Sequence, residues 1–307
     1  MDFLISGMGE VSADGFDFRT ELGRRGYKYL PSASQYVLAA AKRALADAGE
    51  DALTATGPER RAAAVGTNSA AVSLHHAMDR TVVGASAGEL SPATAPYFSI
   101  NLFGSRLATE HDLKGFNLTL TSPRVAGLEA LQTGARALAA GRASRLLAGA
   151  TEEALPEGEP GADTSEAGAV ALLLEPAAAV AERGGRSYGR VGVRTFFLPP
   201  ALAASAEGPG EAAAALRDAL AALGHQPGTP LTVTAVLDGS PVGEAVAAAL
   251  KEAERVPAGA GCLAPMAHIA AALRDAPDHA HAVVTAAAEG NAAVCLVTPG
   301  GAEAVSR

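Results

Sequence analysis

Few side chains in this chain could carry covalent chemistry, and Ser122 is the first to consider. It lies in the stretch Thr-Ser-Pro-Arg at residues 121–124, between a short apolar run that predicts a buried strand and a longer one that predicts a helix. A serine in such a strand-to-helix turn acts as a nucleophile when glycines flank it and a histidine takes its proton. The flanking glycines are missing, and the sequence places no histidine beside it. We therefore interpret Ser122 as structural.

The chain contains two cysteines, Cys262 and Cys295. They form neither a disulfide framework nor a Cys-x-x-Cys motif. Cys295 alternates with apolar residues in the last predicted strand, residues 292–297, as a small buried side chain does. Cys262 lies in a stretch rich in glycine and alanine, residues 258–266, where a reactive thiol is the alternative to a buried one.

Two pairs of histidines could suggest a metal site, namely His75 with His76 and His279 with His281. Neither pair has a third ligand at the spacing typical of zinc sites, so we predict no metal. His268 falls in an alanine-rich predicted helix, where we interpret it as packed or partly exposed.

The sequence also lacks a cofactor motif. Gly7 and Gly9 have the spacing of the first two glycines of a dinucleotide-binding loop, but the pattern G-x-G-x-x-G does not follow. We expect no cofactor.

Composition excludes several classes of function. The 307 residues carry a net charge of −9, which disfavours a nucleic-acid partner because such proteins need a basic face. Apolar residues make up 49% and charged residues 19%, as in globular proteins. No uncharged apolar stretch of about 18 residues predicts a membrane span, and the first residues do not resemble a signal peptide. We expect a cytoplasmic protein.

Two parts of the chain repeat the same order of elements. A helix at residues 36–49 precedes a strand at 61–67, and a helix at 211–224 precedes a strand at 231–238. Both predicted helices end in glycine, which adopts the left-handed conformation that stops a helix. The repeat predicts a layered α/β fold made of two duplicated halves.

We place the boundary of these halves between residues 178 and 179, which gives an N-terminal half at 1–178 and a shorter C-terminal half at 179–307 within one structural unit. Stretches rich in proline and glycine at 157–163 and 198–210 predict surface loops.

Several short motifs resemble, in the same order along the chain, those of the β-ketoacyl synthases of the thiolase superfamily. They include the glycine-led strand before the turn, an acidic pair after a glycine-rich strand, and a final Gly-Asn turn. The motifs lie at residues 5–12, 40–49, 65–67, 101, 115–120, 148–153, 165–175 and 290–291. The resemblance implies a thiolase-like αβαβα fold with two duplicated halves.

The catalytic groups of that family are missing from this chain. The family uses a cysteine to accept the acyl group, and two histidines that assist decarboxylation and hold the enolate oxygen. The resemblance places Arg124 at the cysteine, Val236 at the first histidine and Gly259 nearest the second. It therefore implies no catalytic residue here.

One branch of the family is similar to this pattern. The chain length factor is the non-catalytic partner of a ketosynthase in type II polyketide systems, and it lacks the nucleophilic cysteine. Residues 235–239 and 264–276 resemble that branch. The branch usually carries glutamine where this chain has Arg124, so a decarboxylase role proposed for that glutamine is not implied here.

The resemblance also implies a set of residues at the acyl tunnel and dimer interface. Bulky side chains around Asn101 would line the tunnel and set chain length, and the alternative is that they form ordinary core. The strand at 117–121 would pair with a partner's strand. The set comprises Tyr97, Phe98, Ile100, Phe103, Leu118, Leu120, Thr121, Ser122, Pro123 and Arg124.

Arg124 has two interpretations. As a fixed cation in a cavity it could bind a carboxylate, a phosphate or a partner's backbone. Alternatively it forms a salt bridge or caps the turn. A cation beside an acyl tunnel is costly unless it is paired, which favours the second interpretation.

The resemblance implies a non-catalytic subunit of polyketide biosynthesis that forms a heterodimer with an active β-ketoacyl synthase and shapes its acyl tunnel. An acyl carrier protein would contact it indirectly, through that partner. Two alternatives stay open. One is an independent acyltransferase or hydrolase that uses new residues, and the other is a homodimeric scaffold that binds an acyl carrier protein.

Overall fold

The computed structural model describes residues 3–49, 51–69, 71–275 and 278–300. The strands in these residues are β1 (Phe3–Ser12), β2 (Arg61–Gly66), β3 (Phe116–Leu120), β4 (Arg145–Glu152), β5 (Gly168–Pro176), β6 (Arg190–Phe197), β7 (Leu231–Leu237), β8 (Glu254–Pro257), β9 (Ala280–Ala286) and β10 (Asn291–Thr298). The α-helices are α1 (Phe18–Glu21), α2 (Ser32–Ala48), α3 (Asp51–Thr54), α4 (Val72–Gly84), α5 (Leu102–Glu110), α6 (Ala126–Ala139), α7 (Ala177–Glu182), α8 (Pro200–Ala203), α9 (Gly208–Ala222), α10 (Pro241–Ala249) and α11 (Leu263–Asp275). Short 3-10 helices lie at Pro58–Arg60, Ala87–Glu89, Ala95–Phe98 and Ala162–Thr164.

The strands form two five-stranded sheets with the same topology. The first has the order β1-β5-β4-β2-β3 and the second β6-β10-β9-β7-β8. In each sheet the first three strands run antiparallel to their neighbours, and the last three run parallel. This correspondence confirms the predicted duplication. The proposed boundary at 178 and 179 falls within α7, between the two sheets, and stays a prediction.

Helices and sheets alternate in five layers. α2 and α5 cover the outer face of the first sheet, α6 and α11 lie between the sheets, and α9 and α10 cover the second sheet. Alternate residues of β2 show why it is buried on both sides: Ala62 and Ala64 face the middle layer, whereas Ala63 and Val65 face α2. The layered α/β prediction is therefore confirmed.

Gly7 and Gly9 serve the packing of α2 on β1. A Cβ atom at Gly7 would lie 2.2 Å from the carbonyl oxygen of Ala44, and one at Gly9 would lie 2.0 Å from that of Ala40. Only glycine permits this approach. Helix packing accounts for the two glycines that have dinucleotide-like spacing in the sequence.

One loop prediction was wrong. Residues 198–210 contain α8 and the first turn of α9, because Pro200 and Pro209 lie in the first turns of these helices, where proline costs no backbone hydrogen bond. Among the described residues, no helix combines the length and apolar character needed to cross a membrane.

Candidate functional site

The turn between β3 and α6 is held in a strained conformation. Arg124 has a φ of 61°, and it is one of three non-glycine residues with positive φ in the described part of the chain. A left-handed residue of this kind costs about 1–3 kcal/mol and persists only when neighbouring contacts impose it. Its side chain is thereby presented at the start of α6.

Asn68, which follows β2, supplies those contacts. Its Oδ1 accepts a hydrogen bond from the N–H of Arg124 (3.0 Å), and its Nδ2 donates to the carbonyls of Thr121 (3.0 Å) and Ser122 (3.2 Å). Gly66 lets α6 approach closely, since a Cβ there would lie 2.3 Å from the carbonyl carbon of Ala126. The end of β2 therefore fixes the turn.

The guanidinium of Arg124 pairs with a carboxylate from the second sheet. Its Nη2 donates to Oδ2 of Asp238 at 3.0 Å, and the two side chains are 12% and 24% exposed. Asp238 directly follows β7, and its Oδ1 also accepts from the N–H of Ser240 (3.0 Å). Nε and Nη1 of Arg124 are buried without a hydrogen-bond partner among the described residues. This geometry agrees with the salt-bridge interpretation of Arg124.

Val236, which the resemblance places at the first histidine, lies in β7. It is fully buried in β7, within the core of the middle layer. Asp238 lies two residues further on, so both residues share one face of the chain, but Asp238 is beyond the end of the strand. The group that faces Arg124 is thus a carboxylate.

Gly259, which the resemblance places nearest the second histidine, lies against Glu166. A Cβ at Gly259 would be 2.5 Å from Cγ of Glu166. Cys262, three residues later, is fully buried, and its N–H donates to Oε1 of Glu152 at 2.8 Å. Burial raises the pKa of the Cys262 thiol well above its usual value, and the Glu152 carboxylate raises it further. A thiol held protonated in this way is a poor nucleophile.

Glu152, at the end of β4, connects three segments of the site. Its carboxylate accepts from the N–H groups of Asn68 (2.9 Å), Ser69 (2.7 Å) and Cys262 (2.8 Å), and also from the hydroxyl of Ser69. Such a set of donors is what a buried carboxylate requires. Glu152 therefore joins the ends of β2 and β4 to the segment before α11.

Glu166 lies at the N-terminus of α11. It accepts from the N–H groups of Ala264 (2.8 Å) and Leu263 (3.1 Å), which the first turn of a helix leaves free. Burial raises the pKa of the Glu166 carboxyl, and the two N–H groups and the charge of Arg124 act in the opposite direction. Glu152, Glu166 and the Arg124–Asp238 pair thus form a polar cluster between the two sheets.

Ser122 has a partner that accounts for its hydroxyl. Its Oγ donates to Oε2 of Glu129 on α6 at 2.5 Å. In the described part of the chain, no histidine forms a hydrogen bond with Ser122, Arg124, Asp238 or Cys262. This agrees with the structural interpretation of Ser122.

The paired histidines noted in the sequence lie outside this polar cluster. All four form hydrogen bonds through a ring nitrogen. The partners are the carbonyl of Phe98 for His75 (3.0 Å), Glu159 for His76 (3.2 Å), Thr232 for His279 (2.8 Å) and Thr234 for His281 (3.0 Å). Among the described residues, no group of three or more His, Cys, Asp or Glu side chains is arranged to hold a metal.

The structure separates the predicted tunnel residues into two groups. Phe103 is fully buried in the core between α2 and the first sheet, and Tyr97 is partly buried against the same core. Phe98, Ile100 and Leu118 are 57%, 43% and 38% exposed. The ordinary-core alternative therefore describes Phe103, whereas the other three are available to another molecule. Leu120, Ser122 and Pro123 are partly buried and Thr121 is exposed.

Sequence reasoning missed the roles of Asn68, Asp238, Glu152 and Glu166. Three of them share a readable signal. Asn68 and Glu152 lie at or just beyond the C-terminal ends of the parallel strands β2 and β4, and Asp238 directly follows β7 of the second sheet. Polar groups at those ends of α/β sheets meet at one edge, where sites are commonly built.

Comparison with known proteins now defines the family. The family model for the β-ketoacyl synthase N-terminal domain matches residues 7–179, more than half of the chain. No curated protein matches the chain at a significant level.

Solved structures match over nearly the whole length. The ishigamide ketosynthase/chain length factor covers 98% of this chain and 100% of its own, with a TM-score of 0.80 and 21% identity. AntDE:AntF, a type II PKS acyl-carrier protein in complex with its ketosynthase, covers 97% and 99%, with a TM-score of 0.73 and 14% identity. A β-ketoacyl synthase from Burkholderia phymatum STM815 covers 97% and 99%, with a TM-score of 0.77 and 14% identity.

At these identities the structural similarity establishes the fold, and it confirms the thiolase-like αβαβα architecture. The matched family model adds the relationship in sequence. The chain belongs to the β-ketoacyl synthase family.

Proposed function

We propose that this chain is a non-catalytic ketosynthase-like subunit, similar in role to a chain length factor, which pairs with an active β-ketoacyl synthase and shapes its acyl tunnel. The observation that carries the proposal is the pairing of Arg124 with Asp238 at the strained turn. In this proposal, Arg124 and the carboxylate that it faces stand where a condensing enzyme needs a thiol and an imidazole.

Neither side chain can replace those groups. A guanidinium stays protonated and has no lone pair with which to accept an acyl group. An ionised carboxylate is an acceptor only, so Asp238 cannot donate a hydrogen bond to a developing enolate oxygen. Their mutual ion pair also occupies each with the other.

The nearest thiol does not compensate for this loss. Cys262 is fully buried, and its burial raises the pKa of the thiol. Acyl transfer to it would require both exposure and deprotonation, which its surroundings oppose.

The surface supports pairing with a second chain. β3 is an edge strand, bonded to β2 on one side, and its central residue Leu118 is partly exposed. α4 has no buried residue among its 13, and its Val83 is 88% exposed. Unpaired edges and grouped apolar side chains of this kind favour association.

The partner would supply the cysteine, the histidines and the main contact with an acyl carrier protein. The AntDE:AntF structure is of a carrier protein in complex with its ketosynthase, and we extend that arrangement to this chain as part of the proposal.

The test is to co-express this chain, carrying the only affinity tag, with the ketosynthase encoded nearest to it. The purified material is assayed for malonyl-dependent condensation on a carrier protein. We expect co-elution and an activity that neither protein shows alone, and we expect R124A to retain most of that activity. A chain that elutes alone and leaves the ketosynthase unaffected would contradict the proposal.

A further inference from the structure

A groove runs between the free edge of the first sheet and the middle layer. β3 contributes Phe116 and Leu118, α6 contributes Thr133, Arg136 and Ala137, and Arg142 also lines the groove. The cavity volume is about 630 Å³. We call this surface the basic groove. Its floor is apolar, and its two arginines give it a positive charge.

The two arginines have no partner within the described chain. Arg136 and Arg142 are exposed, and their guanidinium groups form no hydrogen bond or ion pair with the described residues. The acidic side chains nearest in sequence are engaged elsewhere, since Glu129 accepts from Ser122, and Glu152 accepts from the N–H groups of Asn68, Ser69 and Cys262. The basic groove thus carries uncompensated charge in a chain whose net charge is −9.

The basic groove is continuous with the free edge of β3. An added strand on that edge would extend the sheet through main-chain hydrogen bonds and would cover Leu118. Any chain that binds the edge therefore approaches Arg136 and Arg142.

A second copy of this chain fits that position poorly. A two-fold dimer buries the same surface of both subunits, so both basic grooves would lie in one interface. The arginines of both copies would then share one interface, without an acidic side chain from either groove. Like charges placed together at an interface oppose association.

We propose that the basic groove selects a different chain, one whose edge segment presents carboxylates opposite Arg136 and Arg142. This inference rests on the proposed function, and it identifies the acidic edge segment of the active ketosynthase as the occupant. Charge at this groove makes the pairing heteromeric.

The test uses the full chain with the co-expressed ketosynthase as the probe. The variant R136E/R142E should reduce the ketosynthase that co-elutes with the tagged chain by about tenfold, because it places carboxylates against carboxylates. R136Q/R142Q should have a smaller effect. The matched control is R217E, which reverses an exposed charge on α9, on the far side of the second sheet. Circular dichroism verifies that each variant is folded.

The isolated chain gives a second readout. Sedimentation at low salt should show a monomer for the unmodified protein. R136E should increase self-association, because a two-fold contact would then place glutamate near arginine.

The outcomes separate the two claims. If the unmodified chain retains the ketosynthase and R136E/R142E retains as much, the charge inference is overturned while the proposed function stands. If the unmodified chain retains no ketosynthase, the proposed function fails, and this inference fails with it. A stable self-dimer of the unmodified chain that R136E/R142E does not change would overturn the inference independently.

Discussion

The Nη2 atom of Arg124 lies 3.0 Å from Oδ2 of Asp238, and this contact joins the turn after β3 to the end of β7 in the other sheet. Both side chains are mostly buried, so each carries a desolvation cost that the other offsets. Loss of either partner leaves an uncompensated charge between the sheets. The pair is therefore a structural contact across the two sheets.

We predict strong coupling between these two residues. R124A and D238A should each lower the free energy of unfolding, and the double variant should lose less than the sum, with a coupling of about 0.5–3 kcal/mol. Urea unfolding of the four proteins measures it. Arg255 and Glu244 form an exposed pair at 2.9 Å and provide the control cycle, for which we expect about 0.2–1 kcal/mol. Equal coupling in the two cycles would contradict the prediction.

The strained backbone at Arg124 leads to a second prediction. R124G and R124A both remove the ion pair, but glycine adopts a φ of 61° without steric cost. R124G should therefore be more stable than R124A by about 1 kcal/mol in urea unfolding. At Arg217, within α9, the order should reverse, because glycine weakens a helix relative to alanine by about the same amount. The same order at both sites would contradict the strain argument.

The two cysteines should be inert in the native protein. Cys262 and Cys295 are fully buried, and burial raises the pKa of both thiols. We expect negligible reaction with iodoacetamide at pH 8, and alkylation of both in urea, as measured by the mass of the intact protein. The variant C295S identifies the site of any adduct. Rapid native alkylation of Cys262 would favour the alternative of an independent acyltransferase.

The repeat of elements could be read from the sequence because it depends on local patterns. The helix expected at 36–49 is α2, and the strand expected at 231–238 is β7. Their apolar periodicity and glycine stops need no knowledge of the rest of the chain. The same holds for the strand before the turn at Arg124.

The contents of the site could not be read in this way. Asp238 meets Arg124 only because the second sheet packs on the first, and Val236 shares its face of β7. Sequence spacing alone does not say that β7 ends at Leu237, which leaves Val236 within the strand and Asp238 beyond its end. The burial of Phe103 likewise depends on how α5 packs against the first sheet. A cluster of aromatic residues in the sequence does not specify that packing.

Glu166 should make stability depend on pH. Burial raises the pKa of its carboxyl above the usual 4.5, so the folded state binds more protons than the unfolded state just above that pH. The contribution of Glu166 to the free energy of unfolding is fully present below pH 4.5, and it is lost as the pH rises through the raised pKa. The stability of E166Q relative to the unmodified protein should therefore rise with pH above 4.5 and then level off.

Urea unfolding at several pH values measures this difference. E157Q, which changes an exposed glutamate in a nearby loop, is the control. A difference between E166Q and the unmodified protein that stays constant across the range would contradict the burial of a charged Glu166.

Truncation of Phe98 and truncation of Phe103 should affect different properties of the protein. F103A removes a fully buried ring from the core beside α2 and should lower the free energy of unfolding by about 3–5 kcal/mol. F98A removes a ring that is 57% exposed and should change stability by about 0.5 kcal/mol or less. In the proposed complex with the ketosynthase, F98A should shift the mass distribution of the products, because the exposed ring would then lie beside the acyl chain. If F98A leaves both the products and the yield of complex unchanged, the prediction that Phe98 lines the tunnel is contradicted. The exposed ring would then have no role in chain length.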